Sequence, residues 1–308
     1  MNDDALKEGL LMDTNRITPK YYKDAPPHLY AKLLKFRKEH HIKQIEFNGK
    51  MIEYIAAGKG EKTLLMFHGA LGSAETPYNE ILRLKDRYRV ITPTIRDIGS
   101  LDEISNAVNE ILRREKAERI MVRGGSFGAF IAQSFFKRNY KVIDKIILIN
   151  AIPPKGRYSK KDKLQVRLFT LLLKIVPEKL AKKIMLKELS KLGEPNHPLS
   201  KEQQDEIDFL MMQVQERLAN VRKRHILESL MLVVDFDLNE NIKPDDFLDW
   251  KGKILLITDT DDPSYKHFDK LKAQFSEPEV KIFEKAGHLL QIIFKSEFEK
   301  KHDEFLSC

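Results

Sequence analysis

Cysteine is almost missing from this chain of 308 residues: the one thiol is Cys308, the last residue. An internal disulfide is therefore excluded. No apolar run reaches the roughly 18 to 20 residues that a bilayer-spanning helix needs. The opening stretch, MNDDALKEGLLMDTNR, mixes both charges and lacks the basic start and apolar middle of a signal peptide. Internal repeats and low-complexity tracts are also missing. Together these absences predict a soluble protein of the reducing cytoplasm. What is present argues against wholesale disorder: 42% apolar and 9% aromatic residues suffice for a buried core.

Acidic residues run short in one place. Residues 153–192 carry twelve Lys or Arg against Asp162, Glu178 and Glu188, a net +9 in a chain whose formal charge is +8. The remainder is close to neutral, so overall basicity is no argument for a nucleic-acid partner. The basic segment reads either as a solvated helical face or as a surface for an anionic membrane. Near the N-terminus, YYKDAPPHLY mixes aromatics with prolines; a packed arm is expected there rather than a nucleic-acid platform.

Four segments emerge. Residues 1–41 read as a helical extension, with Leu29, Leu33, Leu34 and Phe36 on one side of a helix. Two strand-like runs, Ile42–Gly49 and Met51–Gly58, flank Asn48-Gly49, a strong hairpin signal. Buried strands and helices then alternate: TLLMF, a helix near Ala74–Leu84, RVITPTI, and a helix opened by a Ser100-x-x-Glu103 capping box. RIMV, FGAFIAQSFFKR and VIDKIILINAI continue the pattern to residue 152. Such alternation predicts an α/β fold, a mostly parallel sheet with helices on both faces. Residues 153–248 are helical almost throughout and read as an inserted cap. A helix there starts at Ser200-x-x-Gln203 and carries Ile207, Leu210, Met211, Val214, Leu218 and Val221 as a stripe. Residues 249–308 return to the core with KILLITD, VKIFEKAG and a last helix over Leu290–Leu306.

The chemistry concentrates at four strand ends. Ser126 is central in Gly124-Gly125-Ser126-Phe127-Gly128, between a strand and a helix. A nucleophile on so tight a turn needs small neighbours two positions away, and its hydroxyl gains the helix's N-terminal amides. A serine there can also be a plain helix cap. A nucleophilic serine needs a base, and the base an orienting acid. His288 follows the last strand and Asp262 the strand before it, so all three converge at one sheet edge. Phe67-His68-Gly69-Ala70 follows an earlier strand, where the Ala70 amide can pair with that of Phe127 around an oxyanion.

From about Ile42 onward the chain resembles the α/β-hydrolase superfamily, including a cap between the sixth and seventh strands of that family's sheet. The resemblance implies Ser126 as nucleophile, Asp262 as acid, His288 as base, and Ala70 and Phe127 as oxyanion amides. It implies a small-molecule ester or thioester substrate, with an apolar moiety suggested by the cap's apolar residues. It calls for no metal or organic cofactor. His68 becomes a structural residue beside the oxyanion loop. GGSFGAFIAQSFF, EIDFLMMQVQERL and ILLITDTDDPS look similar to a maspardin-like branch, whose members bind protein partners without catalysis. That branch supplies the alternative function, an adaptor. The intact Ala286-Gly287-His288 departs from it. Compared with typical active members, the loop after VITPTI lacks the D-x-R-G-x-G-x-S form, and Ala129 replaces a common glycine.

Rival readings use the same residues. LLITDTDD imitates the D-x-D of haloacid-dehalogenase-like phosphatases, which place it after their first strand and not near the end. Asp259, Asp261 and Asp262 together suggest a cation, but a solvated turn is the plainer expectation. His267 is the rival base, set inside a helix after the acid strand. His197, His225 and His302 lack metal spacing.

Overall fold

The computed structural model describes residues 19–155, 160–192 and 195–308. The opening MNDDALKEGLLMDTNR and Arg157 of the basic segment lie outside the described residues.

Eight strands form one sheet: β1 (Lys43–Phe47), β2 (Lys50–Ala57), β3 (Thr63–Phe67), β4 (Arg89–Pro93), β5 (Ile120–Gly125), β6 (Ile143–Ile149), β7 (Lys253–Asp259) and β8 (Glu279–Phe283). Their order is β1-β2-β4-β3-β5-β6-β7-β8. The β1–β2 and β2–β4 pairs are antiparallel and the others parallel. Every residue of β3 is buried, and β6 and β7 each expose little beyond one end. Such strands read as unbroken apolar runs because helices cover both of their faces. The hairpin turns through Asn48 and Gly49, at φ 50° and 72°, the double left-handed geometry that Asn-Gly adopts with least strain.

One face carries α3 (Leu101–Arg114) and α4 (Phe127–Asn139); the other carries α1 (Pro27–Glu39), α2 (Tyr78–Leu84), α10 (Leu290–Ile293) and α11 (Lys295–Ser307). Between β6 and β7 run α5 (Lys160–Ile175), α6 (Glu178–Lys191), α7 (Lys201–Asn220) and α8 (Lys223–Asn239); α9 (Phe268–Lys272) follows β7. The inserted helices share a small core of their own, centred on Leu173, Ala181, Met185, Leu218 and Ile226.

Several local expectations shift. Ser100 Oγ accepts the Glu103 N–H at 3.2 Å, but Glu103 Oε2 reaches the Gly99 N–H at 2.9 Å instead of closing the box on Ser100. Both halves of the Ser200/Gln203 box do form. α2 starts at Tyr78, because Ser73–Pro77 is taken up by a turn in which Thr76 Oγ1 accepts the Ser73 N–H. The last helix breaks at Phe294, whose φ and ψ of −108° and 40° interrupt the ladder. α7 buries no single stripe: Ile207 and Phe209 pack on the sheet's core, Leu218 on the core of the inserted helices.

The N-terminal arm is packed. Arg37 of α1 bonds both Glu75, in the loop after β3, and Glu216 of α7, and Tyr22 donates to the same Glu216 at 2.7 Å. One buried guanidinium thus ties the arm, the sheet loop and the inserted helices together.

Candidate active site

β5 ends in Gly124-Gly125 and α4 opens at Phe127, which leaves Ser126 alone on the turn. Its φ of 54° and ψ of −122° lie where a side chain strains the backbone. Neighbouring structure holds it there: the Ser126 N–H donates to Ile149 O of β6, and its carbonyl accepts the Ala129 N–H, both at 2.9 Å. A Cβ at Gly124 would lie 2.2 Å from Gly128 O, and one at Gly128 would lie 2.4 Å from Phe67 O. At Gly125 the nearest atom would be 3.7 Å away. Sterics therefore demand glycine two residues either side of the serine, the spacing the sequence carries.

The acid and base come from the two loops at the end of the sheet. His288 Nδ1 lies 2.6 Å from Asp262 Oδ2, and Asp262 Oδ1 accepts the Ser264 N–H at 2.8 Å. Burial pushes the Asp262 pKa upward, but the hydrogen bond and charge of His288 outweigh it and hold the carboxyl below its usual value. The three neighbouring aspartates divide the work. Asp259 is fully buried and accepts three backbone N–H groups, from Asp261, Ala286 and Gly287, at 2.8 to 2.9 Å. Asp261 accepts from Asn196 Nδ2 at 2.9 Å. The expected solvated turn is thus incorrect: Asp259 and Asp262 are both sequestered, because the loop from β8 closes over them.

His68 does not join that pair. Its Nε2 accepts the Ile95 N–H at 2.9 Å, so Nδ1 holds the proton and donates to Gly69 O at 2.8 Å. Burial lowers its pKa to about 4. It pins the loop after β3 to the loop after β4. Ala70 stands exposed in the first of these loops, and Phe127 begins α4 on the adjacent strand's end. Their neighbours Gly69 and Ser126, rather than these two residues, line the cavity beside the serine.

That cavity measures about 320 Å³ and reaches from Ser126 and His288 down between α2, α7, α10 and α11. Among the described residues no hydrogen bond joins the Ser126 hydroxyl to His288; such bonds are commonly loose before substrate arrives. Phe67, Ile149, Phe209, Leu210, Leu289 and Phe298 supply an apolar wall. Tyr78, Glu80, Arg83, Arg123 and Gln291 supply polar lining. Arg123 Nη2 donates to Gln291 Oε1 at 2.7 Å and sits 2.7 Å from Glu80 Oε1 as an ion pair. Arg123 Nε is buried without a hydrogen-bond partner among the described residues. Burial pushes the Tyr78 hydroxyl up to about 12, against the lowering effect of its hydrogen bond with Asn79.

Sequence reasoning missed Arg123 and Asn150, and it singled out Asp259 only as one of three crowded aspartates, without its anchoring role. Asn150 adopts φ 47° just after β6 and donates to His288 O at 3.4 Å. Its signal was present: an Asn at the carboxyl end of a buried strand, where left-handed geometry favours it. His267 lies in the turn Tyr265–His267 and does not line the cavity. Asp97, His225 and Glu228 bring three potential ligand atoms within 4.8 Å of one another. His225 Nδ1 accepts the Arg222 N–H, while Nε2 lies 3.0 Å from Asp97 Oδ1 and 3.1 Å from Arg224 Nε, which itself belongs to a side chain paired with Asp97. These contacts make a latch between α8 and the loop after β4.

No protein-family model matches the sequence, and no curated protein matches it by sequence. Solved structures do. A carboxylesterase from the thaumarchaeon Nitrososphaera gargenis aligns with 86% of this chain and 97% of its own, at 16% identity and a TM-score of 0.66. A bromoperoxidase from Bacillus anthracis covers 87% and 100% at 17% identity, with a TM-score of 0.68. An alpha/beta hydrolase fold protein from Chitinophaga pinensis covers 87% and 97% at 14% identity and 0.63. The chain has the α/β-hydrolase fold. Among the described residues no helix is long and apolar enough to cross a membrane.

Proposed function

We propose that this protein is a serine hydrolase that cleaves an ester or thioester through an acyl-enzyme. His288 Nε2 takes the Ser126 proton as Oγ attacks the carbonyl carbon. The carbonyl oxygen becomes an oxyanion, met by the amides of Ala70 and Phe127. Asp262, bonded to Nδ1, keeps the imidazole in the correct tautomer and stabilises the imidazolium. That imidazolium returns its proton to the departing alkoxide or thiolate, and the tetrahedral adduct collapses to acyl-Ser126. Water, deprotonated by the same His288, then releases the acid and restores the serine. α5–α8 act as a cap, with Phe209 and Leu210 of α7 over the apolar moiety of the substrate.

The observation that carries this reading is the buried Asp262–His288 contact beside a serine held at a strained angle on one cavity. A fluorophosphonate probe tests it. Wild type is expected to label, Ser126→Ala to stay unlabelled, and Asp262→Asn to label about 10⁴-fold more slowly. Folded wild type that fails to react beside a competent serine hydrolase sinks the mechanism.

A further inference from the structure

Among the described residues, the inserted helices leave an apolar stripe uncovered. Leu168, Leu171, Leu172 and Ile175 of α5 are 56%, 53%, 48% and 74% exposed. Their spacing of three and four residues puts them on one side of the helix. Leu173, fully buried, with Phe169 and Val176, takes a different side and packs onto the core shared by the inserted helices. The stripe is therefore not core-facing. Leu180 of α6, three residues beyond Pro177, is also 45% exposed. Among the described residues, five of the twelve large exposed apolar residues thus fall within thirteen positions, which marks an interaction surface rather than scatter.

Charge says what covers it. α6 turns Ala181 and Met185 inward and exposes Lys179, Lys183 and Lys187 on its other side, with Lys174 at the end of α5. Among the described residues these four lysines form no ion pair. The acids on α6 are already engaged, Glu178 with Lys182 and Glu188 with Lys191. A second copy of the chain would bring like charges together. A nucleic acid would meet the lysines and leave the leucines against sugar and phosphate. An anionic lipid surface satisfies both sets, taking the leucines into the headgroup–acyl boundary and the lysines against its phosphates.

We propose that the outer side of α5 and α6 docks this protein on an anionic lipid surface. The helices lie in the interface without crossing it, since the flanking lysines cannot enter hydrocarbon. The docking does not depend on turnover at Ser126.

Full-length protein mixed with vesicles tests this, by flotation on pure phosphatidylcholine and on phosphatidylcholine with about 30% phosphatidylglycerol. Binding is expected to the anionic vesicles only, and to weaken in about 0.5 M salt. Leu171→Ser/Ile175→Ser and Lys183→Glu/Lys187→Glu alter exposed positions, so both variants should keep the fold. Each is expected to lower vesicle partitioning at least about tenfold, while Ser126→Ala binds like wild type. Failure to bind anionic vesicles, or equal binding to both kinds, overturns the proposal. So does a dimer in sedimentation that the Leu171→Ser/Ile175→Ser variant abolishes, because the stripe then belongs to a second copy.

Discussion

Asp259 holds Gly287 by its backbone: Asp259 Oδ1 accepts the Gly287 N–H at 2.9 Å, one residue before His288. Oδ2 accepts the Ala286 N–H at the same distance. The loop that presents His288 is thus anchored to the strand that leads to Asp262. Asp259→Asn keeps the shape but points an NH₂ at one of these donors. It is expected to lose about 1–3 kcal/mol of stability, the penalty for a buried group left unpaired. Probe labelling at Ser126 should slow as well, since His288 loses its anchor. Denaturant unfolding and labelling rates measured on one preparation check both; an unchanged midpoint would mean the anchor carries no weight.

The elbow predicts a sharp contrast among three glycines. A methyl group at Gly124 or Gly128 would meet backbone oxygen at 2.2 or 2.4 Å, and neither strand nor helix can move aside. Gly124→Ala and Gly128→Ala should each cost about 3 kcal/mol or prevent folding. Gly125→Ala meets nothing closer than 3.7 Å and is expected to stay within about 0.5 kcal/mol of wild type. Thermal melts of the three variants read this directly.

The fold was legible where one physical demand acts locally. Strands buried on both faces must be unbroken apolar runs, so TLLMF and KILLITD stood out, and the β7 bounds Lys253–Asp259 match the latter. Asn48-Gly49 and the two elbow glycines were legible because sterics alone select them. What depends on distant partners was not. The role of Asp259 arises from two loops separated by 27 residues, and the Arg123–Gln291 contact spans 168. The apolar residues of α7 gave one stripe by periodicity, yet the helix crosses from one core to another along its length. Asp262 was picked over its neighbours by the resemblance, as the aspartate just before Pro263, and the structure puts its Oδ2 2.6 Å from His288 Nδ1.

The Arg123–Glu80 pair sits in the cavity wall with side chains only 6% and 17% exposed. Truncating one partner strands the other charge in a low-dielectric site. Arg123→Met alone is expected to cost about 3–5 kcal/mol, and Arg123→Met/Glu80→Leu to recover much of that loss. A double-mutant cycle by urea denaturation measures the coupling. Additive losses would show that the two charges are separately solvated.

His68 ties stability to pH. Burial holds its folded pKa at about 4, against an ordinary value of 6.5 in the unfolded chain. Between these values the unfolded chain binds a proton that the folded protein refuses. The contribution is therefore complete above about pH 6.5 and drains away as pH falls towards 4. At about 1.4 kcal/mol per pH unit, the window is worth roughly 3 kcal/mol. His302 shifts the same way, also through burial, so the total slope exceeds that of His68 alone. Asp262 is a carboxylate whose folded pKa is depressed, so its share is lost only at more acid pH. His68→Gln is expected to be less stable at neutral pH, having lost the imidazole that bridges Ile95 and Gly69, but flatter in this window. Urea midpoints for both proteins across about pH 4 to 7 separate the two effects. Parallel curves would mean that His68 does not titrate on unfolding.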